Sequence, residues 1–323
     1  MKDSLKVFSN NVNIKNIQDE ITLNLKKIYS SMKNKSILHK YYAIVAFDGD
    51  SMGEWISGKN FKNTVDLKES QQKLSKLLSN FTDWIRSYLN LSNDEGSELG
   101  SVIYAGGEDF LGFVPLDNLM KVLKVLRQKF KELVSDEIQQ YVENGRELTF
   151  SMGVCIAHYK MPLAYVLKEV RKLEKIAKEF REKKDAIAIS VIKRSGEIKL
   201  SVFGWKGIIE DKEIFLVDYI EYIKDNILNK VFSGTFIRNI AIELNSIIND
   251  DKDDNYVHIV KSEIKRMIRR AFISNKLDNN LINEMQKKIC DLYTCLVNQG
   301  ATSDDFISAL AISEFIGREQ NDN

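Results

Sequence analysis

The sequence predicts an α+β fold in which a ferredoxin-like sheet is followed by an all-helical domain. Two observations carry this prediction. Up to about residue 205, short apolar runs rich in strand formers alternate with long segments whose apolar residues recur at helical spacing. Beyond that point we expect no further strands, because residues 215–323 show a helical pattern.

The first half of the sheet is predicted from three apolar runs. YYAIVAF (41–47) is a buried strand that ends abruptly at Asp48-Gly49-Asp50. Apolar residues at helical spacing predict a long amphipathic helix over 64–91. SELGSVIYA and FLGFV then form two strands, and the short turn GGED (106–109) joins them into a hairpin.

The second half continues the alternation. Helical spacing recurs over 116–142, LTFSMGVCIAHY (148–159) is the fourth strand, 162–182 is a helix, and AIAISVI (186–192) is the fifth strand. The order β–α–β–β–α–β–α–β contains a split β-α-β unit with a central hairpin, which is the ferredoxin-like motif. The same motif forms the core of the palm of many polymerases and nucleotide cyclases.

The chain is expected to divide into three parts: a polar N-terminal segment (1–40) with a weak amphipathic stretch, the palm (41–205) and the helical domain (206–323). In the helical part, DDKDDN (250–255) is an acidic break, and GATSDDF (300–306) supplies a cap for a last helix.

Composition excludes several classes of protein. Hydrophobic residues make up 44% of the chain and the net charge is +1, so bulk charge neither indicates nor excludes a nucleic-acid partner. The three cysteines form no CxxC pair, which argues against a disulfide framework and against zinc. The N-terminus has no apolar signal region and no run is long enough to span a membrane, so we expect a cytoplasmic protein.

Four carboxylates are the candidate catalytic residues: Asp48 and Asp50 at the end of the first strand, and Glu108 and Asp109 in the hairpin turn. In a ferredoxin-like sheet these two places are neighbours, so the side chains can converge although they are distant in sequence. Clustered carboxylate oxygens suit Mg²⁺ or Mn²⁺, and such ions promote in-line attack on a phosphoryl centre. Taken alone, either motif is more often a plain polar turn; it is the combination that indicates catalysis.

Glycines flank the same carboxylates. They allow positive φ and close approach of backbone N–H groups to a phosphate or a base. The candidate nucleotide-binding residues of these two loops are Gly49, Ser51, Gly53, Gly106 and Gly107.

Four stretches together carry a family resemblance: YYAIVAFDGDSMGEWISG, VIYAGGEDFLGFVPL, FSMGVCIAHYKMPLAYVLKEVRKLEKIAK and DAIAISVIKRSGE. They resemble, in order, the second palm domain of the large subunit of type III CRISPR–Cas effector complexes, in its Cmr-type form. The helical tail ending ALAISEFIGRE is similar to the C-terminal helical domain of that subunit.

The resemblance implies that ATP is the substrate and is joined into cyclic oligoadenylate second messengers for antiviral defence when target RNA is bound. It implies that Asp48 and Glu108 ligate the metal, that Asp50 supports them, and that Asp109 is a second ligand or helps to deprotonate the attacking hydroxyl. Lys178 falls where the related GGDEF cyclases place a phosphate-binding lysine. Other effector subunits and guide or target RNA are the implied partners; a second copy of the chain is the alternative.

The sequence also departs from the family. The usual turn is GGDD, whereas this chain has GGED. It shows no His-Asp nuclease pair, no cysteine cluster and no first palm, so it resembles only the C-terminal half and we expect no cleavage of single-stranded DNA. Two other hypotheses stay open: a nucleotide-binding palm scaffold without turnover, and a GGDEF-type dinucleotide cyclase outside CRISPR, although Ser51-Met52-Gly53 differs from the sequence that GGDEF proteins carry after the first strand.

One basic segment remains unassigned. KSEIKRMIRRAF (261–272) places four cationic side chains on one predicted helix. It could contact RNA backbone or an acidic partner subunit, and it could equally be a plain solvated face.

Overall fold

A computed structural model of the chain describes residues 40–91, 98–143, 145–245, 247, 254–272 and 279–321. These residues belong to one compact unit, 39–322. Almost all of the predicted N-terminal segment, and most of the acidic break at 250–255, lie outside the described residues.

A six-stranded sheet forms the centre of the palm, in the spatial order β2-β3-β1-β4-β5-β6. Its strands are β1 (Tyr41–Gly49), β2 (Ser101–Gly106), β3 (Asp109–Pro115), β4 (Phe150–His158), β5 (Ala186–Ile192) and β6 (Ile198–Gly204). β1 is antiparallel to both β3 and β4, whereas β4 and β5 are parallel. The predicted ferredoxin-like arrangement is confirmed, because the order of its first four strands is the one that a split β-α-β unit requires.

Helices cover both faces of the sheet, and more helices follow it. They are α1 (Met52–Ile56), α2 (Leu67–Leu89), α3 (Leu119–Phe130), α4 (Leu163–Glu179), α5 (Val217–Leu228), α6 (Gly234–Asn245), α7 (Asp254–Phe272), α8 (Asn279–Asn298) and α9 (Ser303–Asn321). β4 and β5 are buried at every residue. That is why their sequences read as continuous apolar runs rather than as alternating ones.

The helix predicted over 116–142 is a continuous helical run with a change of pitch. A 3₁₀ turn precedes α3, and a π turn at Lys131–Ser135 follows it. The Ser135 hydroxyl donates to the carbonyl of Leu148, which ties this turn to the approach to β4.

The prediction that strands stop at about residue 205 is wrong. A second, two-stranded sheet pairs β7 (Lys206–Ile209) with β8 (Lys212–Phe215). The edge strand β6 is a further strand that the sequence did not predict. The turn between β7 and β8 places Glu210 at φ 50° and Asp211 at φ 61°. Such a turn normally carries asparagine and glycine, so its sequence here gave no hairpin signal.

The last helix begins as predicted. The Thr302 hydroxyl accepts a hydrogen bond from the Asp305 N–H at 3.2 Å, and the Asp305 carboxylate accepts one from the Thr302 N–H at 2.8 Å. This reciprocal pair is a capping box with aspartate in the third position.

One continuous apolar core runs from the palm into the C-terminal helices, and it includes Phe47 of β1 and Ile316 of α9. A smaller cluster fills the opposite face of the sheet beneath α4. In the part of the chain that the structure describes, no helix is both long and apolar enough to cross a membrane.

Candidate functional site

The hairpin turn is tighter than the four letters GGED suggest. Gly106 pairs with Asp109 across the ladder, so the loop itself is only Gly107 and Glu108. Gly107 has φ +60°, which is the conformation that a two-residue loop demands at its first position and that favours glycine. The turn chemistry therefore explains one glycine of the pair.

The tip of this hairpin lies against the end of β1. The Gly49 N–H donates to the Glu108 carbonyl at 3.1 Å. A Cβ at Gly49 would lie 2.9 Å from the Glu108 Cβ and 2.7 Å from the Met52 Sδ, so only glycine allows this approach. Phe47 pairs with Phe110. The antiparallel register one residue further along puts Asp48 opposite Asp109, on the same face of the sheet.

Helix α4 crosses that face and places three charged side chains over the two aspartates. Lys178 forms an ion pair with Asp48. Arg171 lies 3.0 Å from the Asp109 carboxylate and 2.8 Å from Glu174, which is itself 3.6 Å from Lys178. The spacing 171, 174, 178 puts all three on one face of the helix. We call these five residues the hairpin charge cluster.

The hairpin charge cluster is open to solvent. The side chains of Asp48 and Asp109 are 29% and 35% exposed, and that of Lys178 is 24% exposed. A ligand can therefore reach both carboxylates and their cationic partners.

Asp50 has a different environment. It is 4% exposed, and its carboxylate accepts hydrogen bonds from the hydroxyls of Thr149 at 2.7 Å and Ser151 at 2.8 Å and from the Asp185 N–H at 3.0 Å. Burial raises the pKa of Asp50, and the three donors act against that rise. Its contacts make it a positioning residue that joins the end of β1 to the starts of β4 and β5.

A buried arginine extends this network. Arg127 of α3 is fully buried and lies 2.8 Å from the carboxylate of Asp185 and 3.3 Å from that of Glu147. Asp185 thus connects Arg127 to Asp50. Its φ of 48°, in the left-handed region, shows that this connection constrains the backbone.

Glu108 does not join the hairpin charge cluster. It lines a separate cleft of about 340 Å³ between α1, α2 and the turn. The other lining residues are Met52, Ile56, Gln71, Leu74, Ser75, Leu78 and Gly107. Apolar walls with a few polar groups are typical of a site for a flat organic ring.

A larger cleft, of about 770 Å³, lies on the other side of the Asp50–Ser51 segment. Its walls include Arg181, Lys183 and Lys184. Ser51 has φ 56° at the start of α1, and a Cβ at Gly53 would meet open space. Ser51 lines this cleft and Gly53 is exposed, and the carbonyls of both accept backbone hydrogen bonds from α1 and the residue after it.

The carboxylates at this site fit a divalent metal ion if the phosphates of a substrate supply further ligands. No group of three or more His, Cys, Asp or Glu side chains is arranged to hold a metal within the described ranges. Asp48 and Asp109 offer two carboxylates, and Mg²⁺ in nucleotide-handling sites takes one or two carboxylates together with phosphate oxygens and water. The donor set thus fits an ion that arrives with a triphosphate, and Glu108 is not gathered with the other two predicted ligands.

Sequence reasoning found Asp48, Asp109 and Lys178, which the structure brings together, and missed Arg171 and Glu174. Arg171 and Glu174 could have been found from the charge spacing of VRKLEKIAK, which places both on one helix face with Lys178. Thr149 and Ser151 were also missed, although two polar residues at alternate positions at the start of an apolar strand are a detectable pattern.

Comparison with known proteins finds a family model that matches the palm. Residues 41–188 match the family model described as Cas10/Cmr2, second palm domain. The CRISPR system Cmr subunit Cmr2 of Pyrococcus furiosus is 33% identical over 189 residues, which cover 52% of this chain and 20% of that relative. The chain thus spans about a fifth of the length of this curated relative.

Solved structures show weaker likeness. The apo state of type III-B Cmr-beta matches with a TM-score of 0.42 and 17% identity, over 72% of this chain and 34% of that one. Csm1 of T. onnurineus matches with a TM-score of 0.41 and 14% identity, over 84% of this chain and 37% of that one. The likeness rests on the family model and the sequence relative: residues 41–188 match the second palm domain of Cas10/Cmr2, and the chain is similar to the Cmr2 subunit of a CRISPR system.

Proposed function

We propose that the chain is a metal-dependent nucleotidyltransferase that converts ATP to cyclic oligoadenylate, or to a cyclic dinucleotide, in type III CRISPR antiviral defence. The observation that carries the proposal is the pairing of Asp48 and Asp109 beneath Lys178 and Arg171 at a solvent-open end of the sheet. Other effector subunits and RNA, or a second copy of the chain, would be its partners.

The triphosphate would replace the two aspartates as the partner of Lys178 and Arg171. Lys178 and Arg171 are each held by an aspartate, and a triphosphate carries more negative charge than either carboxylate. Arginine suits bidentate contact with phosphate, and lysine acts as a point charge. Movement of these cations to the phosphates would release Asp48 and Asp109 to hold Mg²⁺ or Mn²⁺, which would neutralise charge that develops on the phosphoryl oxygens.

The base would enter the cleft lined by Glu108. Met52, Leu74 and Leu78 offer apolar surface to a purine ring, and Gln71 and Ser75 can exchange hydrogen bonds with its edge. Gly107 lines the same cleft and Gly106 pairs with Asp109, so the ribose and the first phosphate would pass along this turn.

The chemistry is transfer of a nucleotidyl group. A ribose hydroxyl oxygen bonds to the α-phosphorus of a second ATP, the bond from that phosphorus to the pyrophosphate oxygen breaks, and the hydroxyl proton must leave. If Asp48 alone holds the metal ion, Asp109, freed from Arg171, would accept that proton, and Lys178 and Arg171 would balance the charge of the departing pyrophosphate.

One specific observation favours a second candidate function. Both aspartates are already neutralised by cations from α4. A palm that keeps these ion pairs would bind ATP through the base cleft without turnover and would act as a scaffold.

The test measures ATP binding and product formation separately. The full chain, alone and with RNA-loaded partner subunits, is incubated with ATP and Mg²⁺ or Mn²⁺, and products are identified by mass spectrometry. Asp48→Asn and Asp109→Asn are compared with Asp136→Asn, which changes an exposed, ion-paired aspartate elsewhere.

We expect cyclic adenylate from the wild type and from Asp136→Asn, and none from the other two variants. ATP binding by the wild type without product under every condition would establish the scaffold instead. Absence of both binding and product would overturn both candidates.

A further inference from the structure

Helix α7 presents a basic face that the palm site does not use. Its apolar residues Val260, Ile264, Met267 and Ile268 are buried, whereas four cationic residues of the same helix are exposed. These are Lys265, Arg266, Arg269 and Arg270.

The basic face forms one wall of a groove with α8. The groove has a volume of about 520 Å³. It is lined by Ser262, Lys265, Arg266, Arg269, Arg270 and Gln286. Every one of these side chains carries a hydrogen-bond donor and none carries a carboxylate, so the groove is built for an acceptor of negative charge.

The groove has a fixed shape. The Gln286 amide donates to the Lys265 carbonyl at 2.7 Å and so joins α8 to α7 at the groove floor. This hydrogen bond fixes the backbone of α7 against α8 before any ligand binds.

Glu263 interacts with Arg266 and Arg270, and Glu243 interacts with Arg266, so the four cations outnumber these two carboxylates. Arg266 forms an ion pair with Glu263 at 2.8 Å. Across the parts of the chain that the structure describes, Lys265, Arg269 and Arg270 form no ion pair with any side chain. Like charges so close together repel one another, and a bound polyanion relieves that repulsion.

The chemistry of the lining favours a nucleic-acid backbone over an acidic protein. Protein interfaces draw most of their binding energy from buried aromatic and apolar anchors, and this groove is lined by none. Lys265 and Arg269 are separated by one helical turn, about 6 Å along the axis. That separation is comparable with the distance between successive phosphates of an extended strand.

We infer that the groove between α7 and α8 binds the phosphodiester backbone of single-stranded RNA, without reading its sequence. The described residues that line the groove include no aromatic ring, so we expect contacts with the phosphates to supply most of the affinity. This inference rests on the RNA partnership proposed above and gives it a surface, but it requires no turnover at the palm.

The test compares two variants of equal charge. Lys265→Gln, Arg269→Gln and Arg270→Gln are combined in one full-length chain. The control combines Lys68→Gln, Lys76→Gln and Lys121→Gln, three exposed lysines of α2 and α3 that also form no ion pair with any described side chain. Binding of a short labelled single-stranded RNA is followed by fluorescence anisotropy over a series of salt concentrations, and ATP binding is measured in parallel.

We expect the groove variant to lose at least about tenfold in RNA affinity at low salt, and its salt dependence to become shallower by about two in log–log slope, because three phosphate contacts are lost. The lysine control should keep most of its affinity, and both variants should still bind ATP. Equal losses in the two variants, or an unchanged groove variant, would overturn the inference. It would also be overturned if polyglutamate displaced the RNA as well as an unlabelled RNA of different sequence does.

Discussion

At the scale of single residues, Asp50 and Asp48 show how position separates two similar carboxylates. They are two positions apart at the end of β1, yet Asp50 is buried among three donors whereas Asp48 lies at the surface against Lys178. The sequence predicted catalysis for both. The structure supports a positioning role for Asp50, because it is 4% exposed and its carboxylate is already held by three donors.

Replacement of Asp50 by alanine should destabilise the fold. Three donors would lose their acceptor, and each buried donor left unpaired costs on the order of 1 kcal/mol, so we expect a loss of about 3 kcal/mol in the free energy of unfolding. Urea denaturation of Asp50→Ala measures it, with Asp136→Ala as the exposed control. A variant that keeps wild-type stability but makes no product would indicate that Asp50 takes part in the reaction itself.

His158, at the end of β4, should make stability depend on pH. It is 5% exposed, and its Nδ1 accepts the Lys160 N–H at 3.1 Å, which requires the neutral ring. Burial, with Arg194 and Lys160 nearby, lowers the pKa of His158 below its ordinary value of 6.5. The unfolded chain then binds more protons below about pH 6.5, so the free energy of unfolding should fall as the pH falls through that value.

The variant His158→Asn keeps an acceptor near the position of Nδ1 and cannot titrate in this range. Its unfolding free energy should therefore fall less than that of the wild type on acidification from about pH 7.5 to about pH 5.5. His258→Asn, which replaces an exposed histidine of α7, is the matched control. Identical pH profiles for His158→Asn and the wild type would contradict the assignment.

At the scale of elements, α9 is attached to the sheet through its cap. The Asp305 carboxylate accepts the Thr302 N–H at 2.8 Å and the Thr302 hydroxyl at 2.7 Å, and it also accepts the Val202 N–H of β6 at 2.9 Å. One carboxylate thus caps the start of a helix and satisfies a backbone donor of the edge strand.

Loss of this carboxylate should cost more than loss of an ordinary cap. An N-terminal cap contributes about 1 kcal/mol, and the donor of Val202 adds a further unpaired group, so Asp305→Ala should lose about 2–3 kcal/mol. Asp304→Ala removes an exposed carboxylate from the same helical turn and should lose less than about 1 kcal/mol. Chemical denaturation of the two variants separates these outcomes, and equal losses would show that only helix-terminal charge matters.

At the scale of the whole molecule, the palm and the C-terminal helices share a core. The rings of Tyr41 in β1 and Phe315 in α9 meet edge to face with centroids 4.8 Å apart. Phe315 is 1% exposed. The predicted division at residue 206 stays a prediction about domains, but the packing predicts that the two parts unfold together.

Phe315→Ala should therefore destabilise both parts at once, by about 3–5 kcal/mol. Trp55, Trp84 and Trp205 all precede α5, so tryptophan fluorescence reports the sheet region, whereas far-UV circular dichroism is dominated by the helices. The two transitions should coincide in the wild type and shift together in the variant. Ile259→Ala, at an exposed position of α7, is the control. If the circular dichroism transition shifted while the fluorescence transition did not, the sheet region and the C-terminal helices would be separate unfolding units.

Much of the palm could be predicted because its signals are local. Apolar runs mark β1, β4 and β5, helical spacing marks α2 and α4, and Gly107 marks a turn that needs positive φ. Each of these patterns depends only on the conformation of neighbouring residues, and the order of the elements then sets the sheet topology. By itself, the sequence thus determined the ferredoxin-like sheet, the hairpin at its edge and the acidic residues at that edge.

Only the tertiary structure decided which of those residues act together. Glu108 adjoins Asp109 in sequence, yet it lines the cleft beside α2 whereas Asp109 pairs with Arg171 of α4, because Glu108 lies in the turn and Asp109 is the first residue of β3. Asp50 became a buried acceptor because β4 and β5 begin beside it. The β7–β8 turn stayed hidden because Glu210 and Asp211 hold a backbone conformation that their own sequence does not favour. These outcomes depend on contacts between residues far apart in the chain, which no local pattern encodes.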